Sequence, residues 1–319
     1  MPWMLTIAVS VSAFGQSPPK KSSDGSAPSA EDLYEAGKAL FNEYAPPEIK
    51  EQYEFPSKQQ WDEFAGRLQH VLDSEDLGEL AKYLPEARGA LAALRVLPGY
   101  EDYADWLAER IDYIEAAKET TVRPPPRLPA PRPAPKPGQP RTVAPLDLPY
   151  YDLWMERMRA RPEPEQAGKL MPLLRAAFVA EGVPPEIAWL AEAESTLNPA
   201  ARSPAGAKGL FQLMPATAKD LGLKTFLPDE RADAEKSARA AARYLRSLHQ
   251  KFGDWPLAFA AYNAGEGRVQ RLLKQKKADT FPEISSSLSS ETRMYVPKVC
   301  ATIAVRTGVS PENLPPPTG

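Results

Sequence analysis

Apolar residues recur every three or four positions along most of this chain, the period of an amphipathic helix. Across 29–118 the stripes are Leu33, Ala36, Leu40 and Tyr44; Trp61, Phe64, Leu68, Val71 and Leu72; Leu77, Leu80, Ala81 and Leu84; Ala87, Leu91, Leu94 and Leu97; and Tyr103, Trp106, Leu107, Ile111 and Ile114. Pro46, Pro47 and Pro56 separate the first of these helices. A second helical region begins near Pro149 and runs to about Thr307. One helix is predicted over 172–180, and Pro184 and Pro185 are placed to start the next, over 186–195. Asp233 is positioned to cap a long helix with Ala238, Ala241, Leu245, Leu248 and Phe252 on one face, and Gly253 to end it. The segment 255–262 is apolar almost throughout, so both of its faces should be buried at the centre of a domain. A last helix over 291–306 puts Val296, Val299, Cys300 and Ile303 on one side, making Cys300 a buried structural thiol. Few β-branched runs interrupt this pattern, so the predicted fold class is all-α.

Between the two regions, residues 123–149 carry repeated prolines and the basic residues Arg123, Arg127, Arg132, Lys136 and Arg141. Such a stretch favours extended polyproline conformation. With 319 residues, about two domains are expected rather than one continuous core, the linker holding them apart. The predicted division is 1–15 a signal peptide, 16–29 disordered, 30–120 a small helical domain without visible chemistry, 121–149 the linker, 150–310 a second helical domain and 311–319 a tail. The leader reading rests on the apolar run from Met4 to Phe14 and the small residues Ala13 and Gly15 before Gln16, although no Lys or Arg precedes the run. It implies an exported protein, periplasmic or associated with the cell wall.

Charge narrows the function classes. The 39 basic and 42 acidic residues leave a formal net charge of −3, which does not suit nucleic acid. One cysteine excludes an internal disulfide framework, and two histidines, His70 and His249, cannot build a His-rich metal site; no metal and no cofactor are expected. An acidic, aromatic-bearing surface on 30–120 is suited to a sugar or a partner protein. Oligomeric state is left open.

The candidate chemistry gathers in four stretches of the second region. Within 186–195, helical geometry at about 100° per residue puts Ile187, Leu190, Ala191 and Glu194 on one face and Glu192 nearly opposite. Glu194 is therefore expected to face inward, with its proton affinity raised by burial toward that of a general acid, and Glu192 to face solvent. A structural alternative pairs Glu194 with Arg202 or Lys208. In the second stretch, Gly206 and Gly209 permit a tight turn, and Gln212 stands in an apolar strip of Leu210, Phe211, Leu213 and Met214, a combination suited to an N-acetylated sugar. An ordinary turn leading into a helix capped near Thr217 is the plainer reading. The third stretch, 260–267, ends a buried helix in a glycine-bounded turn bearing Tyr262 and Asn263; Tyr262 is placed to orient Glu194 through its hydroxyl, and Asn263 to hold substrate. In the fourth, Glu291 and Tyr295 share a helix face four residues apart, Glu291 being either a second active-site carboxylate or a buttress.

Taken together, Glu194-Ser195, the run from Gly206 to Pro215, Tyr262-Asn263-Ala264-Gly265 and Glu291-Thr292 followed by Tyr295-Val296 resemble the catalytic domain of the bacterial soluble lytic transglycosylases, over about 170–307. The order and spacing are similar to the membrane-bound D-type branch as well. The resemblance implies a goose-type lysozyme-like fold, preceded here by the small helical domain. It implies that Glu194 is the single catalytic acid and base, and that Ser195, Gln212, Met214, Tyr262, Asn263, Glu291 and Tyr295 contribute to substrate binding or to the shape of the cleft. The implied substrate is the glycan strand of peptidoglycan, cut between N-acetylmuramic acid and N-acetylglucosamine with formation of a 1,6-anhydro end. Two other readings stand beside it: a hydrolytic muramidase, which would use two carboxylates about 5 to 9.5 Å apart, and a non-catalytic peptidoglycan-binding protein.

Overall fold

A computed structural model describes residues 38, 70, 73, 74, 76–96, 101–122, 148–203 and 206–318. The stripes at 33–44 and 61–72, the leader, the segment 16–29 and the proline-rich 123–147 lie outside the described residues. Within them, the helices in chain order are α1 (Leu77–Lys82), α2 (Leu84–Val96), α3 (Glu101–Val122), α4 (Tyr151–Ala160), α5 (Ala167–Ala180), α6 (Leu190–Ser195), α7 (Pro215–Asp220), α8 (Ala234–Phe252), α9 (Trp255–Ala264), α10 (Glu266–Lys276), α11 (Phe281–Ser285) and α12 (Ser290–Thr307). Short 3₁₀ turns cover Pro185–Trp189, Glu230–Ala232 and Pro311–Asn313. The only extended pairings among the described residues are two isolated bridges, Arg202 with Lys208 and Lys208 with Leu213, so the all-α expectation holds there.

Local chemistry sets the ends of these helices. Asp233 caps α8 by accepting the amide of Lys236 at 2.9 Å, and Gly253, at φ 73°, stops it. Asp254 accepts the amide of Leu257 at 3.1 Å and so starts α9 immediately afterwards. The uniformly apolar segment becomes α9 as expected, with Trp255, Leu257, Phe259 and Ala261 all buried. Helix α12 packs on α4, α6, α9 and α3, while α8 lies against α5 and α9. Cys300, midway along α12, is fully buried, and burial holds its thiol pKa well above the usual range.

Two expectations change here. The segment 186–195 is not one α-helix: the proline pair starts a 3₁₀ turn over Pro185–Trp189, which relaxes into α geometry only at Leu190. The two helical regions are also not held apart, because α3 packs directly on α6 and α12. The reason is electrostatic as well as apolar. Lys298 of α12 has no solvent exposure, and its ammonium contacts Glu109 and, at 3.2 Å, Asp112 of α3. Asp112 also receives Arg157 at 2.8 Å and Arg161 at 2.7 Å from the α4 side. Burial alone would raise the Asp112 pKa, but Lys298, Arg161 and Arg157 more than offset this and hold it well below the usual carboxylate range.

Candidate active site

Glu194 sits in the last turn of α6, half-buried, with Leu190, Ala191, Ala193 and Ser195 buried around it. The helix stops at once, because Thr196 and Leu197 both adopt left-handed φ values, 50° and 60°. Two consecutive non-glycine residues in that region are strained, and the strain is held by partners: Leu197 is fully buried and the Thr196 hydroxyl bonds the Glu109 carboxylate of α3. The Tyr295 hydroxyl, from α12, donates to Glu194 Oε1 at 2.5 Å. Burial pushes the Glu194 pKa up to about 7; the Tyr295 bond and the Arg110 and Lys298 charges pull the other way, and Glu291 adds to the rise. A carboxyl in this state carries a proton for part of the time at neutral pH and can donate it.

Glu192 corrects the sequence reading. The helical wheel separates it from Glu194 as expected, but α6 is covered on both sides, so Glu192 is 1% exposed rather than solvent-facing. Its charge is met by Arg306, whose Nε and Nη2 donate to the two carboxylate oxygens at 2.8 and 2.7 Å. The bidentate pair ties α6 to the end of α12. Nor does Lys208 pair with Glu194; it bonds Asp229 at 3.1 Å.

The loop 206–213 closes over this helix by bonds to its backbone carbonyls. Ser195 Oγ, buried, donates to Leu210 O at 2.9 Å, and the Tyr262 hydroxyl donates to Phe211 O at 2.7 Å. Tyr262 thus fastens the loop instead of orienting Glu194, the part that falls to Tyr295. Gln212, at φ 44°, donates through Nε2 to Gly209 O at 2.9 Å and Ala201 O at 3.2 Å. Arg231, which the sequence pattern did not single out, clamps the same loop from beneath: its Nη1 reaches Gly206 O at 2.7 Å and Leu213 O at 3.0 Å, and its Nε and Nη2 hold Asp229. Met214 follows at the rim, 42% exposed, and caps α7, which starts at Pro215 rather than near Thr217. On the opposite side, Asn263 Oδ1 accepts the Thr292 hydroxyl at 2.7 Å, so its amide group is held in one orientation. Glu291 is bound by Arg110 of α3 at 3.0 Å.

Gly209 makes the loop possible. A Cβ there would meet Arg231 O at 2.0 Å, and its φ is +79°. Gly209→Ala is therefore expected to destabilise the fold by about 1–3 kcal/mol, from strain and backbone overlap, measured as a fall in the urea midpoint. A variant as stable as its parent would show that the clamp has room to move.

The constellation thus brings Glu194, Tyr295, Tyr262, Ser195 and Gln212 together through one loop and three helices, with Asn263 and Glu291 joined to α12 and α3. Comparison with known proteins covers part of this constellation; Glu291 and Tyr295 lie beyond the matched residues. Residues 173–284 match the family described as the transglycosylase SLT domain. The membrane-bound lytic murein transglycosylase D of Escherichia coli (strain K12) is 42% identical over 123 residues, which are 37% of this chain and 27% of that protein. A protein of Alteromonas sp. (strain M-1) named for tributyltin chloride resistance is 35% identical over 146 residues, 45% of this chain and 67% of that one. The solved 70-kDa soluble lytic transglycosylase of Escherichia coli aligns with 90% of this chain and 47% of its own, at 21% identity and a TM-score of 0.40. The chain spans about a quarter of the length of the E. coli D-type relative.

Proposed function

The chain belongs to the transglycosylase SLT domain family, and from that premise we propose that it is a lytic transglycosylase acting on peptidoglycan glycan strands. The observation that carries this reading is the Glu194 carboxyl, its pKa pushed up to about 7 and its Oε1 held by Tyr295. In the first step Glu194 gives its proton to the glycosidic oxygen between N-acetylmuramic acid and N-acetylglucosamine. The C1–O bond breaks, its electron pair leaves with the N-acetylglucosamine oxygen, and the muramic N-acetyl oxygen stabilises the cationic C1. Tyr295 then stabilises the carboxylate by its hydrogen bond. In the second step that carboxylate takes the proton of the muramic C6 hydroxyl, O6 bonds to C1, and a 1,6-anhydro end forms without water.

One carboxyl serves both steps, which suits a site where Glu291 is occupied by its pair with Arg110. A two-carboxylate hydrolysis would need that second group free to activate water. In this reading 150–310 is the catalytic body, the protein works outside the cytoplasmic membrane, and 30–120 meets wall polymer or an envelope protein. Mass spectrometry of the soluble products from purified sacculi tests it: 1,6-anhydromuramic ends are expected, and reducing muramic ends alone would assign a muramidase instead. No turnover at all would leave a binding protein.

A further inference from the structure

Helix α3 lies outside the 173–284 family match, yet it delivers charged side chains to the site. Arg110 meets Glu291 with both side chains largely covered, 16% and 18% exposed. The guanidinium is stacked over Trp106 at 5.2 Å and Tyr113 at 5.8 Å, which fixes its place and limits its hydration. Glu291 stands one helical turn before Tyr295, the residue that holds Glu194. We propose that Arg110 and Glu291 form an electrostatic positioning pair for the Glu194 carboxyl, which makes α3 a working part of the active site. The inference rests on the role given to Glu194 above.

The groups around Glu194 show why this pair is the adjustable one. On its own helix, Glu192 is neutralised by Arg306. From α12 come Glu291, Tyr295 and Lys298; from α3 come Glu109, Arg110 and Tyr113; from α9 comes Tyr262. Lys298 is already surrounded by Glu109 and Asp112, so its field is largely cancelled. Arg110 and Glu291 face each other at 3.0 Å, and both act on Glu194. Arg110 favours the ionised carboxyl and Glu291 the protonated one, and losing either exposes the other.

The test titrates the full chain labelled with ¹³C-carboxyl glutamate by NMR, with Glu194→Gln assigning the resonance. Arg110→Gln should raise the Glu194 midpoint by about one pH unit and Glu291→Gln should lower it by about one, the lower end of what a nearby unit charge does to a carboxyl. The double variant should return near the parent. Loosened packing would admit water and lower the midpoint in both single variants, so opposite signs separate charge from structure. Should Arg110→Gln fail to fold, Glu291 decides alone: Glu291→Asp, which shortens the side chain but keeps its charge, should leave the midpoint near the parent while Glu291→Gln lowers it. Shifts of one sign, no shift, or equal shifts for the Asp and Gln variants would overturn the pair. Because the readout is titration rather than cleavage, retained cleavage by Glu194→Gln would remove the proposed function without touching this result. An unmoved midpoint beside a dead Glu194→Gln enzyme would remove the pair alone.

Discussion

Glu194→Gln is expected to lower peptidoglycan cleavage by roughly 10³-fold, the range in which a positioned general acid contributes, while glycan binding and the helical circular-dichroism signal persist. The same carboxyl sets the pH dependence. Its first task is to donate a proton, so kcat/KM should fall as pH rises through about 7, where burial leaves the group half-ionised. The folded state holds this proton more tightly than an ordinary carboxyl of pKa 4.5 does. Its contribution to stability is thus fully present below about pH 4.5 and lost as pH rises through about 7. Glu194→Gln removes that loss. Against the parent, the variant should gain roughly 1–3 kcal/mol between pH 4.5 and pH 8, discounted for the partial exposure of the group. Urea unfolding of both proteins at the two pH values checks this, and a difference that stays constant would mean that the carboxyl titrates as an ordinary one.

The largest loss of stability is expected from Lys298→Met. The substitution keeps most of the side-chain volume but strands Glu109, and partly Asp112, in the interface between α3 and α12. Breaking a buried pair from one side costs about 3–5 kcal/mol, because the remaining charge stays desolvated. Arg157 and Arg161 still face Asp112, so Glu109 carries most of the penalty. Adding Glu109→Gln should therefore recover part of the loss, although it also weakens the Thr196 bond at the end of α6. Equilibrium urea unfolding of the two variants measures both effects. A loss under about 1 kcal/mol would mean that water reaches the stranded carboxylate.

Much of the site was legible along the chain. Residue period marked the helices, Asp233 and Gly253 bounded α8, and the apolar run at 255–262 placed α9 at the centre. The inward face of α6 singled out Glu194, and the glycine spacing marked the loop that covers it. Lys298 was missed because it lies within an apolar helix whose nearest neighbours in sequence explain nothing about it. The signal that would have found it is Glu109 and Asp112, set three apart among Leu107, Ile111, Tyr113 and Ile114, which are core. Arg231 was missed for a related reason, since its partners in the loop are the backbone carbonyls of Gly206 and Leu213, which leave no mark in composition.

The sequence by itself determined that the described segments coil and where α8 and α9 begin, because those properties follow from neighbours one to four residues apart. Only the tertiary structure decided that Glu192 is also covered, that Tyr295 rather than Tyr262 bonds Glu194, and that Arg110 of α3 pairs with Glu291. A charge or hydroxyl finds its partner through the folded packing of helices up to nearly two hundred residues apart, as Glu109 and Lys298 are. Helical periodicity carries no information over that distance.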